Sequence, residues 1–368
     1  MLLISIIFPL TTNRIRYNSV ESFILRNEGG TPVNASRFFA YNRSPKLRRL
    51  ELTNCTISSW DHLTSQTSAL ITLVLHLSNL SSPPTTPQLF STLASNPALR
   101  KVVLTGRSIP NDGDGNPSPQ VSLPHLEELE LAGELQDVFG LLRRLDHPER
   151  IYLDLTLYSC AAEDISDTVG PYLRNYLRRR GTAQHELGLY VASWDGIVLH
   201  VGDAAGLLPS ISVSQPMVPF ISITVTTGRA TPDDLPGKII LGLIAHIPQE
   251  EIVYLRTHGN PTSLDNIYSQ LPNLRTLHSA KIPLSAVFQK PKADGGDRVP
   301  YLQHVFFDRV VADGGDWTPL TTFLSRRAFS GKWLDSLEIV HSPSMHSGVV
   351  KDIRDLVRDF RTDRFPQR

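Results

Sequence analysis

The sequence predicts an α/β protein built from stacked units of strand, loop and helix, and three observations support this fold class. One short phrase recurs: "PKLRRLELTNCTI" begins at Pro45, and related copies begin at Ser68, Pro97, Pro124, Pro148, Pro272, Pro300 and Lys332. Stretches with helical periodicity lie between the copies. A proline opens most copies and disfavours helical geometry in the residue before it.

The first copy shows the pattern of the repeat. Its apolar positions follow L-x-x-L-x-L-x-x-C-x-I, with Leu47 first, Cys55 in the polar slot and Ile57 last, which is the leucine-rich-repeat pattern. Alternate side chains of a strand share one face, so Leu50 and Leu52 face a core. One strand cannot bury that face alone. The prediction is therefore a leucine-rich-repeat solenoid, a curved parallel β-sheet with helices on the outer face.

The copies predict the strands and the organisation of the chain. We expect one leucine-rich-repeat-like domain over 1–368, with regular repeats at 44–160, irregular repeats at 161–247, further repeats at 248–345, and a capping helix and tail at 346–368. The polar slot needs a small side chain that satisfies the turn, so Cys55 is expected to be structural. The predicted parallel strands are 49–53, 72–76, 101–105, 128–132, 152–156, 304–308 and 336–340.

The intervening segments complete the element list. "TPQLFSTLASNP", "QDVFGLLRRLDHP" and "ISDTVGPYLRNYLRRRG" predict amphipathic helices, the last one ending at Gly181. "HELGLYV", "GIVLHVG" and "PFISITVTT" alternate like strands that continue the sheet. "VVKDIRDLVRDF" predicts a helix through Phe360 that caps the last repeat. The apolar N-terminus "MLLISIIFPL" predicts a buried strand.

Composition bounds the function. The 368 residues include 36 Lys plus Arg and 36 Asp plus Glu, so a net charge of zero argues against a nucleic-acid partner. Two cysteines, Cys55 and Cys160, give neither a disulfide framework nor a zinc pattern. Without a signal peptide or a long apolar segment in the sequence, we expect an intracellular protein, cytoplasmic or nuclear, with no membrane association. Arg174, Arg178, Arg179 and Arg180 are expected to form a solvated helix face.

No catalytic, cofactor or metal motif stands out. "NDGDGN" from Asn111 has Leu123 where a calcium loop needs its last glutamate, and the two "DGGD" stretches that end at Asp297 and Asp316 read as turns. GxSxG, HExxH and P-loop patterns are missing from the sequence. The expectation is a protein that is not an enzyme and binds no cofactor or metal.

The strand side chains that face away from the core are the candidate protein-binding residues. Stacking places them about 5 Å apart in one surface of mixed charge, which favours a protein partner. Tyr152 and Phe306 are the expected aromatic anchors, with burial of Phe306 by a neighbouring loop as the alternative. The full set is Arg49, Glu51, Thr72, His76, Lys101, Glu128, Glu130, Tyr152, Asp154, His304, Phe306, Asp308 and Glu338.

Four longer stretches carry a resemblance: "SPKLRRLELTNCTISSW" from Ser44, "LASNPALRKVVLTG" from Leu93, "LPNLRTLHSAKIPLS" from Leu271 and "DWTPLTTFLSRRAFSGKWLDSLEIV" from Asp316. With them the chain resembles the repeat region of fungal (basidiomycete) F-box/leucine-rich-repeat proteins. The resemblance implies recruitment of an unknown protein substrate to a ubiquitin ligase, with a Skp-type adaptor and cullin as partners only if an F-box lies upstream.

The residues before Ser44 show no LPxE-type opening and no three-helix apolar pattern, so adaptor docking carries over to no residue of this chain. Either the F-box is encoded upstream or the protein works without the ligase. The alternatives are a structural or decaying paralogue without a ligand and, last in rank, an enzyme with a site in the middle segment.

Overall fold

The computed structural model describes much of the chain in two compact units, Met1–Ser159 and Cys160–Arg368. The described residues are 2–6, 20–27, 31–36, 46–57, 60–77, 83–110, 120–158, 160–181, 186–193, 196–204, 219–226, 235–259, 264–287, 299–312, 315–342 and 345–363. Both units are mixed α/β structures with a mostly parallel sheet, so the predicted α/β class is confirmed. The single-domain organisation stays a prediction.

The described part of the first unit alternates strands with short helices. Its helices are α1 (Trp60–Gln66), α2 (Thr86–Ala94) and α3 (Leu135–Leu142). Its strands are β1 (Leu2–Ile6), β2 (Ser22–Asn27), β3 (Val33–Asn34), β4 (Arg49–Thr53), β5 (Cys55–Thr56), β6 (Thr72–Leu77), β7 (Lys101–Gly106), β8 (Val121–Ser122), β9 (Glu128–Glu134), β10 (Leu145–Asp146) and β11 (Tyr152–Tyr158).

The main sheet of the first unit runs in the order β1-β2-β4-β6-β7-β9-β11. Only β1 among these described strands is antiparallel to its neighbour, β2. Register places Leu50 beside Leu73 and, farther along, Leu129 beside Leu153, and all four side chains are fully buried. The five strands predicted in this unit are confirmed. The N-terminal segment is a strand as well. The predicted burial of its side chains stays a prediction.

Left-handed residues end several strands in both units. Asn54 has φ 51° and its N–H donates to the His76 carbonyl at 2.8 Å; Lys281 has φ 54° and bonds the Asp308 carbonyl at 2.9 Å. Gly106, at φ 66°, ends β7 in the same region of backbone space. This conformation turns the chain sharply out of the sheet while its N–H stays bonded to the neighbouring strand.

The described part of the second unit has longer helices. They are α4 (Ala162–Arg180), α5 (Leu235–Ile244), α6 (Leu264–Ser269), α7 (Leu284–Val287), α8 (Thr318–Phe329) and α9 (Ser347–Arg354), with a 3₁₀ turn at Gln249–Glu251. The strands are β12 (Leu187–Ser193), β13 (Gly196–Asp203), β14 (Pro219–Thr226), β15 (Ile252–Gly259), β16 (Thr276–Ala280), β17 (His304–Asp308), β18 (Leu334–Val340) and β19 (Val357–Thr362).

The sheet of the second unit mixes two pairing modes. Its order is β14-β13-β12-β15-β16-β17-β18-β19, and the strands from β12 through β15 to β19 are parallel neighbours. The three strands predicted in the middle segment are present, but β13 pairs antiparallel with both β12 and β14. The parallel sheet expected throughout is therefore wrong here, because only two residues separate β12 from β13 and a parallel crossover needs far more chain.

The C-terminal segment differs from the predicted capping helix. Helix α9 ends at Arg354, and the residues through Phe360 instead enter β19, which pairs parallel with β18 and sets Phe360 beside Leu337. An apolar spacing that fits a helix also fits a short turn followed by a strand. The free hydrogen-bonding edge of β18 decides between them, because β19 satisfies its backbone groups.

Candidate functional site

The outward row of the first unit is the predicted surface in its most regular form. Parallel register joins Arg49 to Thr72, Thr72 to Lys101, Lys101 to Glu128 and Glu128 to Tyr152. Arg49 is exposed and the other four residues are partly exposed. Five strands thus present one uninterrupted line of polar and aromatic side chains, about 5 Å apart.

Polar groups in and beside this row pair with one another. The Lys101 ammonium contacts Glu128 Oε1 at 2.6 Å, and the Tyr152 hydroxyl donates to Asp154 Oδ2 at 3.2 Å. Burial and then the Asp154 charge raise the pKa of Tyr152 to about 12 and also raise the pKa of Glu130. The row therefore offers an ordered polar surface in which Tyr152 stays a neutral phenol.

Glu51 is a correction to the predicted exposed set. Its side chain is buried, with Oε1 accepting from Arg26 Nε at 2.6 Å and Oε2 from an Arg49 guanidinium nitrogen at 3.0 Å. Burial acts to raise the pKa of Glu51, but the bonds and charges of Arg49 and Arg26 outweigh it and lower the pKa. The prediction missed Arg26 because β2 carries no leucine signature, although its alternating apolar residues could have marked it as a strand.

Histidines of the strand face are hydrogen-bonded to hydroxyls on the next strand. His76 Nδ1 lies 2.7 Å from Thr105 Oγ1, and His304 Nδ1 lies 2.9 Å from Ser336 Oγ. Both histidines are half-buried on the face where they were predicted. The contacts fix the two rings in place, which suits a preformed surface.

The predicted acidic residues of the second unit are half-buried. Asp308 Oδ1 lies 3.0 Å from His341 Nδ1 and 3.5 Å from Arg309 Nε. Glu338 has a raised pKa because burial disfavours its charge, an effect that Arg361 opposes. Asp308 and Glu338 are thus only partly available to a partner.

Phe306 is the second correction. The side chain is 1% exposed, so it is not the exposed anchor that alternation along β17 predicted. Its ring meets the His278 ring edge to face, with centroids 4.5 Å apart, and the two residues are register neighbours on β17 and β16. Alternation identifies the face that carries Phe306, but only the neighbouring strands determine how much of the ring is covered.

Sequence reasoning missed a group of side chains that extends from this ring across the neighbouring strands. We name it the Arg256 group, consisting of Tyr190, Tyr254, Arg256, His278 and Phe306. Register sets Tyr190 beside Arg256 and Arg256 beside His278, while Tyr254 precedes Arg256 by two positions and shares its face. The guanidinium carbon lies 5.6 Å from the Tyr190 ring centroid. Alternation in "IVYLRTHG" was the available signal, but that segment lacks the leucine signature.

Helix α4 borders a cleft in the second unit. The cleft measures about 370 Å³ and is lined by Arg174, Arg178, Ala245, His246, Ile247, Pro248 and Glu251. Arg174, Arg178 and Arg179 are exposed, as the solvated face predicts, whereas Arg180 is half-buried with its guanidinium carbon 4.4 Å from the Phe220 ring centroid. Burial and the Arg174 charge lower the pKa of His246.

Cys55 fits its predicted structural slot. The thiol is fully buried, and its Sγ lies 3.2 Å from the Thr53 carbonyl and 3.7 Å from the Leu25 carbonyl. Burial raises its pKa to about 11, which keeps the thiol protonated and unreactive at neutral pH.

The described residues contain no group of three or more His, Cys, Asp or Glu side chains placed to hold a metal ion. None of their helices combines the length and apolar character that a membrane span requires. The "NDGDGN" stretch and the first "DGGD" stretch lie outside the described residues.

No protein-family model matches the chain. No curated protein matches it either.

Proposed function

We propose that the chain is a leucine-rich-repeat protein whose strand faces bind a protein partner. The repeat assignment is supported by the parallel, in-register leucine strands and by left-handed residues at equivalent strand ends, such as Asn54 and Lys281. Such repeats form extended binding surfaces because each unit presents the same side of its strand.

One observation carries the proposal: the uninterrupted outward row of the first unit. Lys101, Glu128 and Tyr152 lie side by side in register, partly exposed, with both charge signs and an aromatic ring. Protein interfaces concentrate binding energy in aromatic side chains within a polar surround, whereas a polyanion would require a single sign of charge. Tyr152 is the anchor that this geometry favours.

The resemblance of the repeats favours a more specific role. We propose that this region recruits a protein substrate in the manner of an F-box-type ubiquitin-ligase receptor. Adaptor and cullin contacts would belong to an F-box, and no residue of this chain is assigned to them.

The test is affinity capture with a matched pair of variants. The strand-face variant combines Lys101→Ala with Tyr152→Ala, and the helix-face control combines Ser91→Ala with Gln136→Ala, two exposed positions on α2 and α3. Captured proteins are identified by mass spectrometry and rebound in purified form. We expect the strand-face variant to bind the partner at least about tenfold more weakly, since anchor truncations cost this much or more, and the control to bind like the wild type.

Melting curves must first show that both variants fold. If only the helix-face control lost the partner, the binding surface would lie on the helices and the proposed strand-face surface would be wrong. Failure to retain any partner reproducibly would favour the alternative of a structural chain without a ligand.

A further inference from the structure

Arg256 lies on the strand face of the second unit without an acidic partner among the described residues. Its side chain is half-buried, its guanidinium carbon lies 5.6 Å from the centroid of the Tyr190 ring, and its Nε is buried without a hydrogen-bond acceptor in the described part of the chain. Stacking on an aromatic ring holds the guanidinium but does not supply an acceptor for its Nε–H.

Three other cations on the described strand faces are neutralised within the sheet. Arg49 contacts Glu51 at 3.0 Å, Lys101 contacts Glu128 at 2.6 Å, and Arg361 contacts Asp359 at 2.8 Å. Each acid lies on the same or the adjacent strand. Arg256 departs from this arrangement, because its register neighbours are Tyr190 and His278.

His278 provides a second, independent observation at the same place. The residue is 7% exposed, and its Nε2 is buried without a hydrogen-bond partner among the described residues. Its Nδ1 lies 3.5 Å from the Tyr254 hydroxyl. When Nδ1 accepts a hydrogen bond from that hydroxyl, Nε2 carries the ring hydrogen and becomes a donor. Two buried N–H donors without acceptors then lie on adjacent strands, and such donors are costly unless an acceptor reaches them.

The nearest acids of the strand face do not supply that acceptor. Asp308 already contacts His341 and Arg309. Glu338 is separated from Arg256 in the register by two positions, those of His278 and Phe306. Neither of these two acids therefore supplies the acceptor.

We propose that the Arg256 group binds the carboxylate of an aspartate or glutamate side chain in a protein partner. This inference rests on the proposed function and names the chemistry of its partner. Arg256 offers one positive charge and a guanidinium edge that suits a carboxylate. Burial and then the Arg256 charge lower the pKa of His278 to about 3, so the imidazole is neutral at pH 7. A single cation matches a carboxylate better than a doubly charged phosphate.

Three capped nonapeptides of glycine and serine test the chemistry, with a central glutamate, glutamine or phosphoserine. The full chain is labelled with ¹⁵N-histidine, the His278 ring signals are assigned with His278→Gln, and each peptide is titrated in. We expect the glutamate peptide to shift the His278 Nε2 signal saturably, and the glutamine peptide to leave it unchanged.

Paired arginine variants locate the site. Arg256→Gln should weaken binding of the glutamate peptide by about tenfold or more, the usual loss for a hydrogen bond to a charged group. Arg361→Gln, on the same face, should bind like the wild type. Melting curves check that both variants fold. If Arg256→Gln does not fold, Arg256→Lys replaces it, because lysine keeps the charge but lacks the forked N–H donors of the guanidinium. Arg256→Lys should also weaken binding of the glutamate peptide.

The proposed site would be wrong if the phosphoserine peptide bound more tightly than the glutamate peptide, or if the glutamine peptide bound equally well. It would also be wrong if Arg361→Gln weakened glutamate binding as much as Arg256→Gln does. If no peptide shifted the His278 Nε2 signal saturably, ordered water rather than a carboxylate would satisfy His278. A captured partner that binds Arg256→Gln as well as the wild type would also overturn the carboxylate site while leaving the protein-binding function intact. Intact glutamate binding with no captured partner would remove the proposed function instead.

Discussion

His278 makes the stability of the folded protein sensitive to acid. Its pKa falls from an ordinary 6.5 to about 3, because burial and the Arg256 charge disfavour the protonated ring. Between these values the unfolded chain binds a proton that the folded chain does not, so the free energy of unfolding decreases as the pH falls below about 6.5. We expect His278 to contribute a slope of up to about 1.4 kcal/mol per pH unit.

Chemical denaturation between pH 7 and pH 4.5 measures this slope. His278→Gln cannot titrate and should flatten it, whereas His125→Gln removes an exposed histidine and should not. Identical slopes for the wild type and His278→Gln would show that His278 charges freely in the fold.

Leu129 represents the buried leucines of the recurring sequence phrase. It is fully buried on β9 between Val102 and Leu153. Leu129→Ala removes the isopropyl group from a packed core and should lower the free energy of unfolding by about 2–5 kcal/mol. The exposed α3 substitution Gln136→Ala is the control for denaturation. An unchanged denaturation midpoint in Leu129→Ala would contradict the burial.

Strand β7 ends in a turn that requires glycine. Gly106 has φ 66°, and a Cβ built there would lie 2.1 Å from the Leu77 carbonyl oxygen. Gly181 has φ 72° but open space around it. Gly181→Ala should therefore cost only the strain of a left-handed alanine, about 1–2 kcal/mol, while Gly106→Ala should cost more because backbone must move.

Thermal melting of the two alanine variants separates strain from collision. Equal destabilisation of Gly106→Ala and Gly181→Ala would mean that the turn after β7 adapts without cost.

At the scale of strands and helices, the sequence predicted most elements, because alternation and helical spacing are local signals. It missed β19 since a free sheet edge is not a local property.

The whole chain is expected not to bind a Skp-type adaptor. The motivating observation is that the residues before Ser44 show no LPxE-type opening and no three-helix apolar pattern. Co-expression with the adaptor followed by size-exclusion chromatography measures this, with an authentic F-box protein as the positive control. Recovery of the adaptor at stoichiometric yield would contradict the prediction.

The sequence by itself determined the α/β class, the parallel strands predicted in the first unit, the buried leucines and the buried position of Cys55, because each follows from local spacing along the chain. Tertiary structure alone decided which outward side chains are available. Glu51 is covered by Arg26 from β2, and Phe306 packs on His278 from β16. The Arg256 group likewise exists only through register between strands that are distant in sequence. Alternation sets the face of a side chain, whereas its exposure and partners depend on the neighbours that pairing brings beside it.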